Sequence, residues 1–185
     1  MVACCQGLGA EDRTAPNTPR DLRKLAIQSL ESGDTKAATK YAAEWMTKNT
    51  NAQAYYYGDW LHDGTQIMGL AALKEGRLDE AKNYLLKAGA TPGSPRLNSS
   101  GPSMVLAQQL LEKDEKEVVI QYLDLVAKFW AHASEGYLRK AEEKTPGAAA
   151  FLVQLHKDHQ KQIDLWKVQI RDGKKPKLNA SGSLR

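Results

Sequence analysis

Residues 59–88, DWLHDGTQIMGLAALKEGRLDEAKNYLLKA, restrict the fold of this chain more than any other stretch. Apolar residues recur at helical spacing on both sides of Gly76. Gly69, Ala72 and Ala81 are small where two helices folded back on each other must touch, and Trp60, Ile67, Leu73, Leu78 and Leu85 fill the remaining contact surface. This is the pattern of an antiparallel helical hairpin with its turn at Gly76. Gly58, Gly64 and Gly69 lie within the first helix, where each costs up to about 1 kcal/mol relative to alanine. Their presence predicts that another backbone comes close to this helix.

The flanking sequence repeats the theme. A helix is expected from Pro19 to a stop at Gly33, with Leu22, Leu25, Ala26, Ser29 and Leu30 on one face. Asp34 or Thr35 can cap a second helix carrying Ala37, Ala38, Tyr41, Ala42 and Trp45. The third spans about residues 52–75 and the fourth 78–88. Residues 89–103, with three prolines and three glycines, read as an irregular loop. A fifth helix follows over residues 103–113, with Pro102 suited to its first turn. A sixth begins after Asp114 with Val119, Tyr122, Leu123, Val126, Phe129 and Trp130 on one side. It either continues to Lys144 or breaks at residues 134–136. The last, over residues 148–172, carries the stripe Leu152, Leu155, His159, Ile163, Trp166 and Ile170. Alternating runs of β-branched and aromatic residues are nearly absent. The expectation is an all-α single domain of about seven helices over residues 20–172, with a flexible leader at 1–19 and a mobile basic tail at 173–185.

The formal charge of +4 and pI near 9.0 come from lysine and arginine mixed with acidic residues, apart from the RDGKKPK segment at 171–177. That is a solvated surface and not a nucleic-acid footprint. Apolar runs are too short for a transmembrane helix. Cys4 and Cys5 are adjacent and are the only cysteines, so they build neither a disulfide framework nor a zinc site. Met1-Val2-Ala3-Cys4 resembles the end of a bacterial lipoprotein signal, with residues 6–20 as the tether, but the charged and apolar regions of an export signal are missing. Acylation of Cys4 would place the chain in the cell envelope or periplasm; otherwise the expectation is cytoplasmic.

Gly33, Gly76 and Asp114 mark three helix turns spaced roughly 40 residues apart, an irregular repeat of helix pairs. The middle unit resembles a tetratricopeptide repeat (TPR). Gly69, Ala72 and Gly76 fall on that family's first-helix and turn positions, and Leu78, Ala81, Leu85 and Ala88 on its second-helix packing positions. Thr65 stands at the signature tryptophan and the closing proline is displaced to Pro92. Ala26, Gly33 and Ala38 match in the first unit, and Ala107 and Leu123 in the third. The resemblance covers about residues 20–130. The segment from Gly69 to Met104 also resembles a group of bacterial TPR-like proteins, which implies a fold and no chemistry. The TPR resemblance implies a right-handed stack whose first helices line a concave groove for peptides or protein partners. The positions that grip a C-terminal carboxylate in one subset hold Arg23, Ile27, Ile67, Gly101 and Val105, and only Arg23 has the chemistry. Gln66, Leu70 and Lys74 would favour a mixed apolar and polar ligand.

Beside the resemblance stand several polar constellations. Asp59, His62, Asp63 and Gln66 share one helix face, a spacing that can hold a metal, pair a histidine base with a carboxylate, or be a plain polar face. His156 and His159 can chelate, or sit as satisfied core histidines. Tyr55, Tyr56, Tyr57 and Trp60 are a stacking platform or a seam between repeats. Residues 93–100 are rich in donors: Arg96 can meet an anion, Asn98 adds an amide and opens a glycosylation pattern with Ser99-Ser100, yet the loop lacks the spacing of a phosphate cradle. No cofactor motif is present. The reading is a docking or scaffold module for a protein or peptide, with binding residues among Arg23, Asp59, His62, Asp63, Gln66, Leu70, Lys74, Arg96 and Asn98. The alternative is a small enzyme or metal protein centred on Asp59, His62, Asp63 and the 94–100 loop. Self-association through an uncapped end of the stack is a third.

Overall fold

The computed structural model describes residues 18–52 and 54–179; the lipoprotein-like Cys4 and the leader up to residue 17 lie outside them. The described residues form nine α-helices and no strand: α1 Pro19–Ser32, α2 Thr35–Thr47, α3 Tyr57–Lys74, α4 Leu78–Gly89, α5 Pro95–Ser100, α6 Val105–Glu112, α7 Lys116–Trp130, α8 Glu135–Lys144 and α9 Ala148–Arg171. The chain is all-α as expected, with two more helices than the periodicity suggested.

Local chemistry explains the boundaries. Thr18 caps α1 by accepting the Asp21 N–H at 3.2 Å, with Pro19 first in the helix. Asp34 caps α2 through the Ala37 N–H at 2.9 Å. Three helix pairs turn on one residue each in the left-handed region: Gly33 at φ 86°, Gly76 at 77° and Asp114 at 66°. After Gly76 and Asp114 the closing bonds are alike, Arg77 N–H to the Ala72 carbonyl at 2.9 Å and Glu115 N–H to the Leu110 carbonyl at 3.0 Å. Asp114 therefore serves as a glycine substitute, which is why the third turn carries no glycine.

The two extra helices arise from short signals. Ser94 caps α5 by accepting the Leu97 N–H at 3.0 Å and Pro95 occupies its first position, so the expected loop of 89–103 is partly helical. Residues 101–104 then run buried to α6, which starts at Val105 and not at Pro102. Ser134 caps α8 by accepting the Tyr137 N–H, which resolves the ambiguity at 134–136 as a break. α3 begins at Tyr57, five residues later than its apolar spacing suggested.

α1 packs on α2, α2 on α3 and α3 on α4; α1 and α6 also touch α3, α4 packs against α6 and α7, and α9 packs against both α7 and α8. α3 is therefore enclosed nearly all round: Ile67, Ala71 and Ala72 have no exposure, and neither do His62 and Gln66. Its glycines are contact points, but only one admits a backbone. A Cβ on Gly58 would lie 1.9 Å from the Gly93 carbonyl oxygen, whereas Gly64 faces the Met46 side chain and Gly69 faces Leu106 and Tyr84. Gly58→Ala is expected to lose about 1–2 kcal/mol, overpacking against rigid backbone outweighing the gain in helix propensity. Gly64→Ala, opposed by a flexible thioether, should leave stability within about 0.5 kcal/mol of the parent. Thermal unfolding of the two variants side by side measures the difference.

The segment after Gly173 departs from the expected mobile tail as far as Asn179. Leu178 is only 6% exposed, its N–H donates to the Gln108 amide oxygen at 2.7 Å, and the Lys175 ammonium donates to the Glu112 carbonyl at 2.9 Å. A lone leucine among basic residues has no periodicity to announce that it is buried. In contrast, α8 buries no residue, and Phe151 at the start of α9 is 68% exposed.

Candidate functional site

The polar face of α3 gathers two carboxylates, a histidine and an amide, and it is buried. Asp59, His62, Asp63 and Gln66 are all buried, and their partners fall into two groups. His62 donates through Nδ1 to the Ala88 carbonyl at 3.1 Å, and its Nε2 accepts the Ser103 N–H at 3.0 Å. These partners fix the neutral Nδ1–H tautomer and occupy both ring nitrogens. Burial pulls the His62 pKa below its ordinary value against the opposing pull of Asp63 and the Ala88 carbonyl. The ring is a cross-link between the end of α4 and the buried 101–104 segment, with no lone pair left for a metal or a substrate proton. Among the described residues, no group of three or more His, Cys, Asp or Glu is placed to hold a metal ion.

One turn further on, the Gln66 amide donates to the Ser103 carbonyl at 3.2 Å and to the Tyr122 hydroxyl at 3.4 Å, and Tyr122 donates to the same carbonyl at 2.9 Å. The Tyr122 pKa is raised by burial first and by Asp63 second, so the phenol keeps the proton that it donates. His62, Gln66 and Tyr122 together satisfy both backbone polar groups of Ser103. A buried loop needs such partners, because its peptide groups have lost water.

The two carboxylates face the other way. Asp59 Oδ1 accepts the Ser94 hydroxyl at 2.6 Å and Arg96 Nε at 2.9 Å. Asp63 accepts Arg96 Nη2 at 3.1 Å on one oxygen and Arg23 Nη2 at 3.2 Å on the other. Burial works against the Arg96 charge, but Asp63 and Asp59 outweigh it and hold its pKa above the ordinary value. Arg23 also lies over the Trp45 ring, 5.9 Å from its centroid. The network fastens α1 and α5 onto α3, with two acids inside and two arginines at the rim.

The remaining candidates separate. Leu70 is buried with Gln66, so neither lines an open groove. Asn98 is half-buried beside Gly93, and its amide oxygen has no hydrogen-bond partner. Lys74 is exposed and donates to the Leu30 carbonyl at 2.6 Å, at the end of α1. It lines a shallow hollow of about 430 Å³ with Leu73, Gln109, Glu112 and Lys113, the last three of which sequence spacing did not single out. Tyr55 and Tyr56 are exposed and meet edge to face, 4.8 Å between ring centroids.

His156 and His159 both donate through Nδ1 to the Trp130 carbonyl, at 2.9 and 2.8 Å. His156 is the buried one, and His159, half-buried, stacks on Trp130 at 4.5 Å. They close the end of α7 and do not converge on a shared ligand position. His159, like His62, has its pKa lowered chiefly by burial. The unfolded chain therefore takes up protons before the folded one as pH falls. The stability these neutral rings confer is complete above about pH 6.5 and is lost progressively below it. The urea midpoint is expected to be lower at about pH 5.5 than at about pH 7.5; a midpoint flat or rising toward acid would contradict the assignment.

Comparison of the chain with protein-family models, with curated proteins and with solved structures found no match. No helix among the described residues is long and apolar enough to cross a membrane.

Proposed function

We propose that the chain is a TPR-like docking module that holds an extended peptide or protein segment against the first helices of its pairs. The observation that carries this reading is the order of helix contacts. In a stack of this kind each first helix touches the first helix of the next pair, and each second helix touches it too. Here α1 and α2 both touch α3, and α3 and α4 both touch α6, with α1/α2, α3/α4 and α6/α7 as the pairs; the second junction differs from the first in that α4 lies mainly against α7. The turn residues Gly33, Gly76 and Asp114 supply the same left-handed geometry at each pair. α5 is an insertion between the second and third pairs.

The surface offered to a ligand is the hollow between α3 and α6. Leu73 gives it an apolar floor, and Lys74, Gln109, Glu112 and Lys113 give it polar walls of both signs. That mixture suits a segment with an apolar anchor and polar flanks, in which side-chain pockets supply selectivity. The enzyme alternative has no comparable support, since both nitrogens of His62 are committed to backbone groups. Selection of peptides from a random display library on the full chain tests the docking reading. Selected peptides are expected to lose at least about tenfold in affinity on Gln109→Trp, which fills the hollow from a half-buried position on α6. Selection that yields no binders, or binders indifferent to Gln109→Trp, would refute it.

A further inference from the structure

We propose that the flank of α6 covered by residues 174–179 is a second peptide seat, one that reads a lysine placed three residues before a leucine. The chain's own C-terminal segment keeps it occupied until a partner segment of the same chemistry displaces it. This deepens the docking reading and rests on it, because it names the chemistry of a partner and the device that holds the surface closed.

The seated segment shows what the surface accepts. α9 ends at Arg171, Gly173 at φ +79° turns the chain, and the Lys174 N–H closes onto the Gln169 carbonyl at 2.9 Å. Beyond it the chain has no regular structure, yet it is held at two places. Leu178 is buried while its neighbours Lys177 and Asn179 are exposed, so a single apolar side chain is taken in. The Lys175 ammonium sits 2.9 Å from the Glu112 carbonyl and 2.9 Å from an Asp114 carboxylate oxygen. Those acceptors lie at the C-terminal end of α6, where unpaired carbonyls and the helix dipole favour a cation. The Leu178 N–H on the Gln108 amide oxygen fixes the register between the two anchors.

The contacts suit a reversible strap. Helix α9 delivers the segment, and such tethering raises the local concentration to the order of millimolar. One buried leucine and one exposed ion pair are then enough to hold it, whereas a free peptide making only these contacts binds weakly. A partner gains the advantage by reaching further. Glu112, whose carbonyl receives Lys175, also lines the hollow with Leu73, Lys74 and Gln109, so a longer segment can occupy both surfaces.

The test uses the synthetic peptide of residues 174–179, KKPKLN, and the full-length chain followed by NMR at the Gln108 side-chain amide. Leu178→Ser removes the resident anchor, and Lys175→Glu releases the strap while keeping the leucine. Millimolar peptide is expected to shift the Gln108 signal in both variants and to need at least about tenfold more with the parent chain, where the tethered segment competes. The same peptide with serine in place of its leucine should be inert. Equal binding to parent and variants, or no binding to either folded variant at about 10 mM, would overturn the proposal. Gln109→Trp should leave hexapeptide binding unchanged. Loss of the library-selected peptides alone thus reports on the hollow, and loss of the hexapeptide alone on the seat.

Discussion

His62→Ala is expected to cost about 3–5 kcal/mol of folding stability, from a buried cavity and two orphaned backbone groups together. The imidazole has no exposed surface and occupies the junction of α3, the end of α4 and residues 101–104. Removing it strips the Ala88 carbonyl of its Nδ1–H donor and the Ser103 N–H of its acceptor. His62→Phe separates the two effects. Phenylalanine restores the volume but neither hydrogen bond, and should recover less than about half of the loss. Urea denaturation of both variants gives the result, and a His62→Ala loss below about 1 kcal/mol would show that the histidine is dispensable to the fold.

Arg96→Ala is expected to cost about 3 kcal/mol, because it leaves two buried carboxylates with fewer partners. The low end of that range applies, since the guanidinium is about a third exposed and Ser94 and Arg23 still hold one bond each. Arg96→Lys should recover only part, as a single ammonium cannot span Asp59 and Asp63 in the manner of a planar fork. Combining Arg96→Ala with Asp63→Asn removes one of the stranded charges, so the double variant should lose less than the sum of the single losses. Strict additivity in urea melts would show that the two side chains do not interact.

The helices and turns were legible because each rests on information local in sequence. The stripes of α1, α2, α4 and α7, the stop at Gly33 and the turn at Gly76 can all be read within a window of one or two helical turns. The role of the α3 polar face could not be read in that way. Spacing puts Asp59, His62, Asp63 and Gln66 on one side of a helix, but not what covers that side. The cover comes from Ser94, Arg96, Ser103 and Tyr122, up to 56 residues away. A polar helix face therefore looked like an open site when it is the socket for an inserted segment. The Ser94-Pro95 pair did carry a signal for α5, a cap followed by a first-turn proline, which the surrounding glycines and prolines masked. Leu178 gave no signal at all, as its burial depends on a surface that exists only once α6 has formed and packed.

The threading of residues 101–104 between α3 and α7 affects how the chain comes apart. In ordinary helical arrays neighbours share only a flat interface, so terminal units can fray while the rest stays folded. Here the second and third pairs are interlocked: Ser103 is held by side chains from both, so α3 cannot withdraw without stranding its N–H, and α7 cannot withdraw without giving up the Tyr122 bond to its carbonyl. Unfolding of these two pairs is thus all-or-none, and amides across α3, α4, α6 and α7 should exchange with solvent through one common opening.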